Sequence, residues 1–222
     1  MLMAVTRIAV VGILTVSAGI MPMPLWAGDP AQNLAHKALQ QCEQGRLATA
    51  RDARLAHFEQ GQALAEQAVA TDEQSADAHF ALFCNLGEQL RLDGESFTSV
   101  FGFRRMMSEL DRALEINPMH IDALSAKGTL LVKLPGLLGG DSEKGEQLLQ
   151  HVIKRAPKAV NARLALAKVR CEHGNHQEAI ALASDALAIA KKDGRTTFVH
   201  EAKSVLRQAQ TRDAKTVYAV HR

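Results

Sequence analysis

Small and apolar residues recur in this chain at intervals of four and then three, in the segments Gly61/Ala65/Ala68, Met106/Leu110/Ala113, Gly145/Leu149/Val152 and Ala179/Ala183/Ala186. Residues so spaced lie on one face of a helix. After each of the first three triplets comes a turn-forming stretch, and an alanine opens a new helical pattern ten residues beyond the last member, at Ala78, Ala123 and Ala162. Two of the turns contain Asn117-Pro118 and Ala156-Pro157, where proline lacks an amide hydrogen and disfavours helical geometry in the residue before it. Asp77, Asp122 and Asn161 stand just before the three alanines and are expected to serve as N-terminal caps or first-turn acids. Antiparallel helices approach closely only where the side chains between them are small. A shared register at three junctions therefore predicts stacked helical hairpins, because a plain amphipathic bundle needs no common register.

Composition agrees. Aromatic residues make up only 4% of the 222, and Ala, Leu, Gln and Glu recur throughout, which favours helices over strands. The formal charge of +2 is spread along the chain without a long basic block, so nucleic acid is not an expected partner. A first helix pair is predicted from about residue 30 to residue 71, three further pairs between residues 76 and 190, and a capping helix from about residue 196 to residue 210. Val199, Ala202, Val205 and Leu206 would form the buried stripe of that last helix.

The repeats resemble the tetratricopeptide repeat family. The match is best from Asn161 to Ala190, where Leu166-Ala167 fits the Leu-Gly/Ala pair of the first helix and Gly174 fits the inter-helix turn. Ala179 and Ala186 fit the two small residues of the second helix, "LDRALEINP" from Leu110 to Pro118 looks like the common repeat ending, and "QHVIKRAP" is a weaker version. The family's large aromatic residues are mostly missing. The resemblance implies an all-α solenoid of antiparallel helix pairs and a protein that binds other proteins.

From the opening alanine to the start of the next triplet the chain runs 17 residues in the last repeat, 22 in the middle one and 28 in the earlier one, so two inter-helix loops are enlarged. The middle insertion contains Leu134-Pro-Gly-Leu-Leu-Gly-Gly-Asp141, in which Gly139-Gly140 are expected to supply unusual backbone angles and Asp141 or Ser142 a helix cap. The earlier insertion spans Leu92 to Phe103 and carries Phe97, Phe101 and Phe103. The Pro-Gly-Leu-Leu-Gly-Gly-Asp stretch from Pro135 to Asp141, inserted between paired helices, is also similar to one in the exported T-component of tripartite periplasmic transporters. That resemblance implies association with solute-binding proteins and an enclosed small ligand.

Two candidate surfaces follow. In a stacked array the first helices line the concave side. The face opposite their packing alanines presents Asp77, Phe80 and Cys84, then Asp122, Ser125 and Thr129, then Asn161, Leu164 and Lys168, a mixed groove suited to a peptide or partner helix. The alternative is a closed apolar pocket under Phe97, Phe101, Leu137 and Leu138, suited to a small ligand.

No catalytic constellation is found: there is no nucleophile elbow, HExxH or paired-carboxylate arrangement, so the chain is read as non-enzymatic and without a cofactor. Cys171, His173 and His176 are the one tight group of potential metal ligands; a fourth is missing nearby and no metal site is assigned. Cys42, Cys84 and Cys171 are odd in number and widely spaced, matching neither a metal knuckle nor a Cys-x-x-Cys pair, and each is expected to act as a small buried hydrophobe.

At the N-terminus Arg7 precedes an apolar run from Ile8 to Ile20 and a Pro-containing stretch to Ala27, the three regions of a secretory signal. Residues 1–27 are read as a signal peptide cut after Ala27, with an uncleaved N-terminal anchor as the alternative, residues 28–210 as the helical-repeat domain and residues 211–222 as a flexible tail. The expected location is periplasmic or secreted, and the expected role an envelope scaffold or, alternatively, a ligand-binding accessory of a solute transporter.

Overall fold

A computed structural model describes residues 29–92 and 100–220, with side chains through residue 214. The predicted signal peptide and Phe97 lie outside the described residues. The helices are α1 (Pro30–Leu47), α2 (Arg51–Thr71), α3 (Ala76–Leu92), α4 (Val100–Ile116), α5 (Ile121–Lys133), α6 (Ser142–Arg155), α7 (Val160–Glu172), α8 (His176–Lys192) and α9 (Thr196–Val220). Successive helices pack as antiparallel hairpins, and α1 on α3, α3 on α4, α5 on α7 and α7 on α9 carry the stack forward. No strand occurs among the described residues.

Every member of the four triplets is buried, and Ala78, Ala123 and Ala162 have no exposed surface. At these positions helices meet almost backbone to backbone. A Cβ added at Gly145 on α6 would lie 2.8 Å from the carbonyl oxygen of Gly128 on α5, so the α5–α6 hairpin closes only with glycine there. Asp77 and Asp122 stand in the first turns of α3 and α5 as acids, favourable at the positive end of the helix dipole. The caps lie just before them: Ser75 Oγ accepts from the Ala78 amide at 3.3 Å, and His120 Nδ1 accepts from the Ala123 amide at 3.2 Å.

The 134–141 insertion is a 3-10 turn at Gly136–Leu138 followed by Gly139 at φ 87°, and Asp141 caps α6 by accepting from the Lys144 amide at 3.0 Å. Gly140 is required by space rather than angle, because a Cβ there would meet the Leu134 carbonyl oxygen at 1.7 Å.

Three expectations are corrected. Phe101 and Phe103 lie in the first turn of α4 and not in a loop. α9 runs to Val220, past the predicted end at Gln210, through a stretch that holds neither Pro nor Gly and is tied back by Gln177 donating to Asp213 at 2.6 Å. The buried stripe of α9 is Phe198, Ala202, Val205 and Ala209, with Val199 and Leu206 only partly covered. Phe198, Ala202 and Val205 cover Val160, Leu164 and Ala167 of α7 and Ala183, Ala186 and Ala190 of α8, closing an apolar edge that a terminal repeat would expose.

Candidate functional site

The inner helices α1, α3, α5, α7 and the start of α9 wall a concave groove of about 790 Å3, and the stack curves far enough for α1 to touch α9. Phe80, Cys84, Asp122, Ser125, Thr129, Asn161 and Lys168, all expected on this face, line it. Two expected residues do not. Leu164 is 1% exposed and belongs to the core beside Val160, Ala167 and Phe198, because α7 is flanked by helices on more sides than a single inner face allows. Asp77 is not among the lining residues, and its Oδ1 accepts from His120 Nε2 at 3.0 Å; that hydrogen bond outweighs burial and holds the Asp77 carboxyl below the usual aspartate value.

The floor mixes apolar and charged groups. Leu39, Phe83, Leu130 and Phe198 join Phe80 in providing apolar contact, and Phe80 also stacks against Phe83 with ring centroids 5.9 Å apart. Beside them Glu88, only 2% exposed, accepts from Arg46 Nε at 2.8 Å and from Arg91 at 2.9 Å. A buried carboxylate is tolerable only when so paired. Asn85, one turn before Glu88, donates from Nδ2 to the carbonyls of Ala38 at 3.1 Å and Ala81 at 2.9 Å, pinning α3 to α1. Across the groove Lys168 pairs with Glu201 of α9 at 2.5 Å.

Lys133, at the end of α5, makes no ion pair among the described residues. Its surface is open to the groove, yet the walls on both sides desolvate it, and Lys168 and Arg91 add like charge; together these push its ammonium below the ordinary lysine value. Glu201 and Glu172 offset this only in part, so the groove holds a cation that no carboxylate pairs with directly among the described residues, and an incoming negative group would favour its charged form. Arg46, Glu88, Arg91 and Lys133 were not legible as a site, since each reads in sequence as an ordinary helix-surface charge.

Among the described residues the other candidate surface, which also included Phe97, does not assemble. Phe101 is 84% exposed and Leu137 is 101% exposed, and neither lines the groove. Leu138 is also exposed. Among the described residues no group of three or more His, Cys, Asp or Glu side chains is placed to hold a metal ion; His173 instead approaches Glu146 at 3.4 Å. No described helix is long and apolar enough to cross a membrane.

No family model and no curated protein matches the chain. Among solved structures it is similar to a thermophilic tetratricopeptide repeat protein of Thermus thermophilus, with 20% identity over 79% of this chain and 98% of that one and a TM-score of 0.51. A MamA RS-1 double mutant aligns at 16% identity over 84% of this chain and 98% of that one, with a TM-score of 0.44. YrrB, described as a tetratricopeptide repeat protein with an unusual peptide-binding site, aligns at 16% identity over 75% of this chain and 83% of that one, with a TM-score of 0.41. Helix order, inner-face groove and the first of these likenesses together establish the architecture: the chain is an all-α solenoid with the tetratricopeptide repeat fold.

Proposed function

We propose that this protein is a non-catalytic envelope scaffold that holds an extended or helical segment of a partner protein in its concave groove, with an acidic group of that segment facing Lys133. The observation that carries the reading is the groove itself: an open channel of about 790 Å3 that runs across the inner helices, with apolar floor residues for side-chain contact and an unpaired cation for orientation. Small-molecule sites are more enclosed and more apolar than this. The enclosed-ligand alternative needs a pocket under Phe97, Phe101, Leu137 and Leu138, and the exposure of the last three leaves it without walls. Export rests on the N-terminal segment, whose charge, apolar run and small-residue end fit a secretory signal.

The test is selection from a random peptide library against residues 28–222, followed by affinity measurement on groove and outer-face variants. Selected peptides are expected to carry acidic residues, to weaken at least tenfold on Lys133→Glu or Thr129→Tyr, and to be unaffected by Lys154→Glu on the outer face. Peptides that bind all three variants equally, or none selected at all, would remove the groove as the site.

A further inference from the structure

Cys42 and Cys84 are 42 positions apart in sequence, and the fold brings them together. The register is set by their neighbours. Arg46 Nε and Glu88 Oε1, each one helical turn further along α1 and α3, meet at 2.8 Å. On the other side of the cysteines the Asn85 side chain reaches back to bridge the carbonyls of Ala38 on α1 and Ala81 on α3. Contacts that advance by about two turns along both helices mark α1 and α3 as parallel neighbours, and the stretch between those contacts places Cys42 opposite Cys84. The helices approach closely there because Ala35 and Ala38 of α1 pack on Ala78 and Ala81 of α3. Both thiols line the groove and share a hydrogen bond, Cys84 donating to Cys42.

The geometry points to Cys42 and Cys84 as a redox-active dithiol in the groove wall that reacts with low-molecular-weight disulfides and closes an α1–α3 cross-link. The shared hydrogen bond favours the Cys42 thiolate and holds the proton on Cys84, whose thiol is pushed well up; Arg46 beside them adds to the thiolate's support. Both residues line the groove, which gives a small disulfide its approach to the pair. The Cys42 thiolate attacks one sulfur of the incoming disulfide, and the first small thiolate departs and takes the proton of the Cys84 thiol. The Cys84 thiolate so formed attacks Cys42 Sγ and expels the second small thiolate. Two cysteine sulfurs are oxidised to one disulfide, and one small disulfide is reduced to two small thiols. Cys171, buried beneath Ala209, takes no part. This inference rests on the α1–α3 register and the thiol pair it brings to the groove wall, and it stands whatever the groove binds.

Oxidised glutathione is the probe. The folded protein is incubated with it, denatured and alkylated, and its peptides are mapped by mass spectrometry. The expected result is a Cys42–Cys84 cross-link, alkylation of Cys171 only, and a Tm about 5–15 °C higher than after treatment with dithiothreitol, since the bond closes a long loop in the unfolded chain. Cys171→Ser reacts in the same way, and Cys84→Ser, folded by circular dichroism, accumulates a stable glutathione adduct on Cys42. Three alkylated cysteines in the wild type, a glutathione adduct as its final product, or a cross-link that includes Cys171 would overturn the inference.

Discussion

Replacing Gly145 by alanine sets two effects against each other, and the structure decides the sign. In the interior of a helix, alanine is favoured over glycine by about 0.8–1 kcal/mol, so propensity alone predicts a more stable protein. In place, the new Cβ would lie 2.5 Å from Val132 Cγ1, 2.8 Å from the Gly128 carbonyl oxygen and 2.9 Å from the Val132 backbone nitrogen. Two of these three atoms belong to the backbone of α5, so no rotamer change relieves the clash and the hairpin must open. Overpacking of this kind costs roughly 1–3 kcal/mol, with the rigid neighbours placing Gly145→Ala toward the upper end. The net expectation is a loss of about 1–2 kcal/mol, or a Tm lower by roughly 2–8 °C for a domain of this size. Gly136 provides the control, because a Cβ there meets nothing within 4 Å and its φ is not left-handed. Gly136→Ala is expected to be neutral or to stabilise by up to about 1 kcal/mol through the unfolded chain. Urea and thermal unfolding followed by circular dichroism measure both. A Gly145→Ala protein as stable as the wild type would refute the claim that these helices pack backbone against backbone.

The two arginines on Glu88 are expected to be unequal: Arg46→Leu strips the nearer partner from a carboxylate 2% exposed and should cost about 2–4 kcal/mol, whereas the largely exposed Arg91 should cost under about 1 kcal/mol on Arg91→Leu. Equal losses in urea unfolding would contradict that ranking. Asp77, with its carboxyl held below the usual value in the folded state, contributes stability that is present above the unfolded aspartate pKa of about 3.9 and is lost as pH falls through the lower folded value. Asp77→Asn should thus cost stability at pH 7, by less than about 1 kcal/mol given the exposure of the pair, and the difference should shrink below about pH 4; a difference that grows on acidification would reverse the assignment. Expressed from its full sequence in a bacterium that exports proteins, the mature product should begin at Gly28 by N-terminal sequencing, and retention of residues 1–27 would contradict a cleaved signal.

The hairpin stack was legible because its cause is local. Alanines and glycines at intervals of four and three mark the faces where helices touch, and the prolines at 118 and 157 mark where they stop. The groove was legible in part for the same reason, since the side of α3, α5 and α7 away from the packing alanines faces inward. Leu164 broke that rule because α7 is covered by α8 and α9 as well as by α5, and helical spacing says nothing of how many neighbours a helix has. The charged network around Glu88 and the meeting of Cys42 with Cys84 depend on the register between α1 and α3, which 41 intervening residues fix only once α2 has folded between them. Widely separated cysteines in helical patterns gave no sign of it.

The central claim, that the inner face of the solenoid is where a partner is held, is tested most directly by site-specific photo-crosslinking in cells. A photoreactive residue at Thr129, on the groove wall, is expected to capture a partner chain, and the yield should fall on Lys133→Glu. The same residue at Lys154, on the outer face, is expected to capture nothing specific. Capture from residue 154 with none from residue 129 would contradict the account.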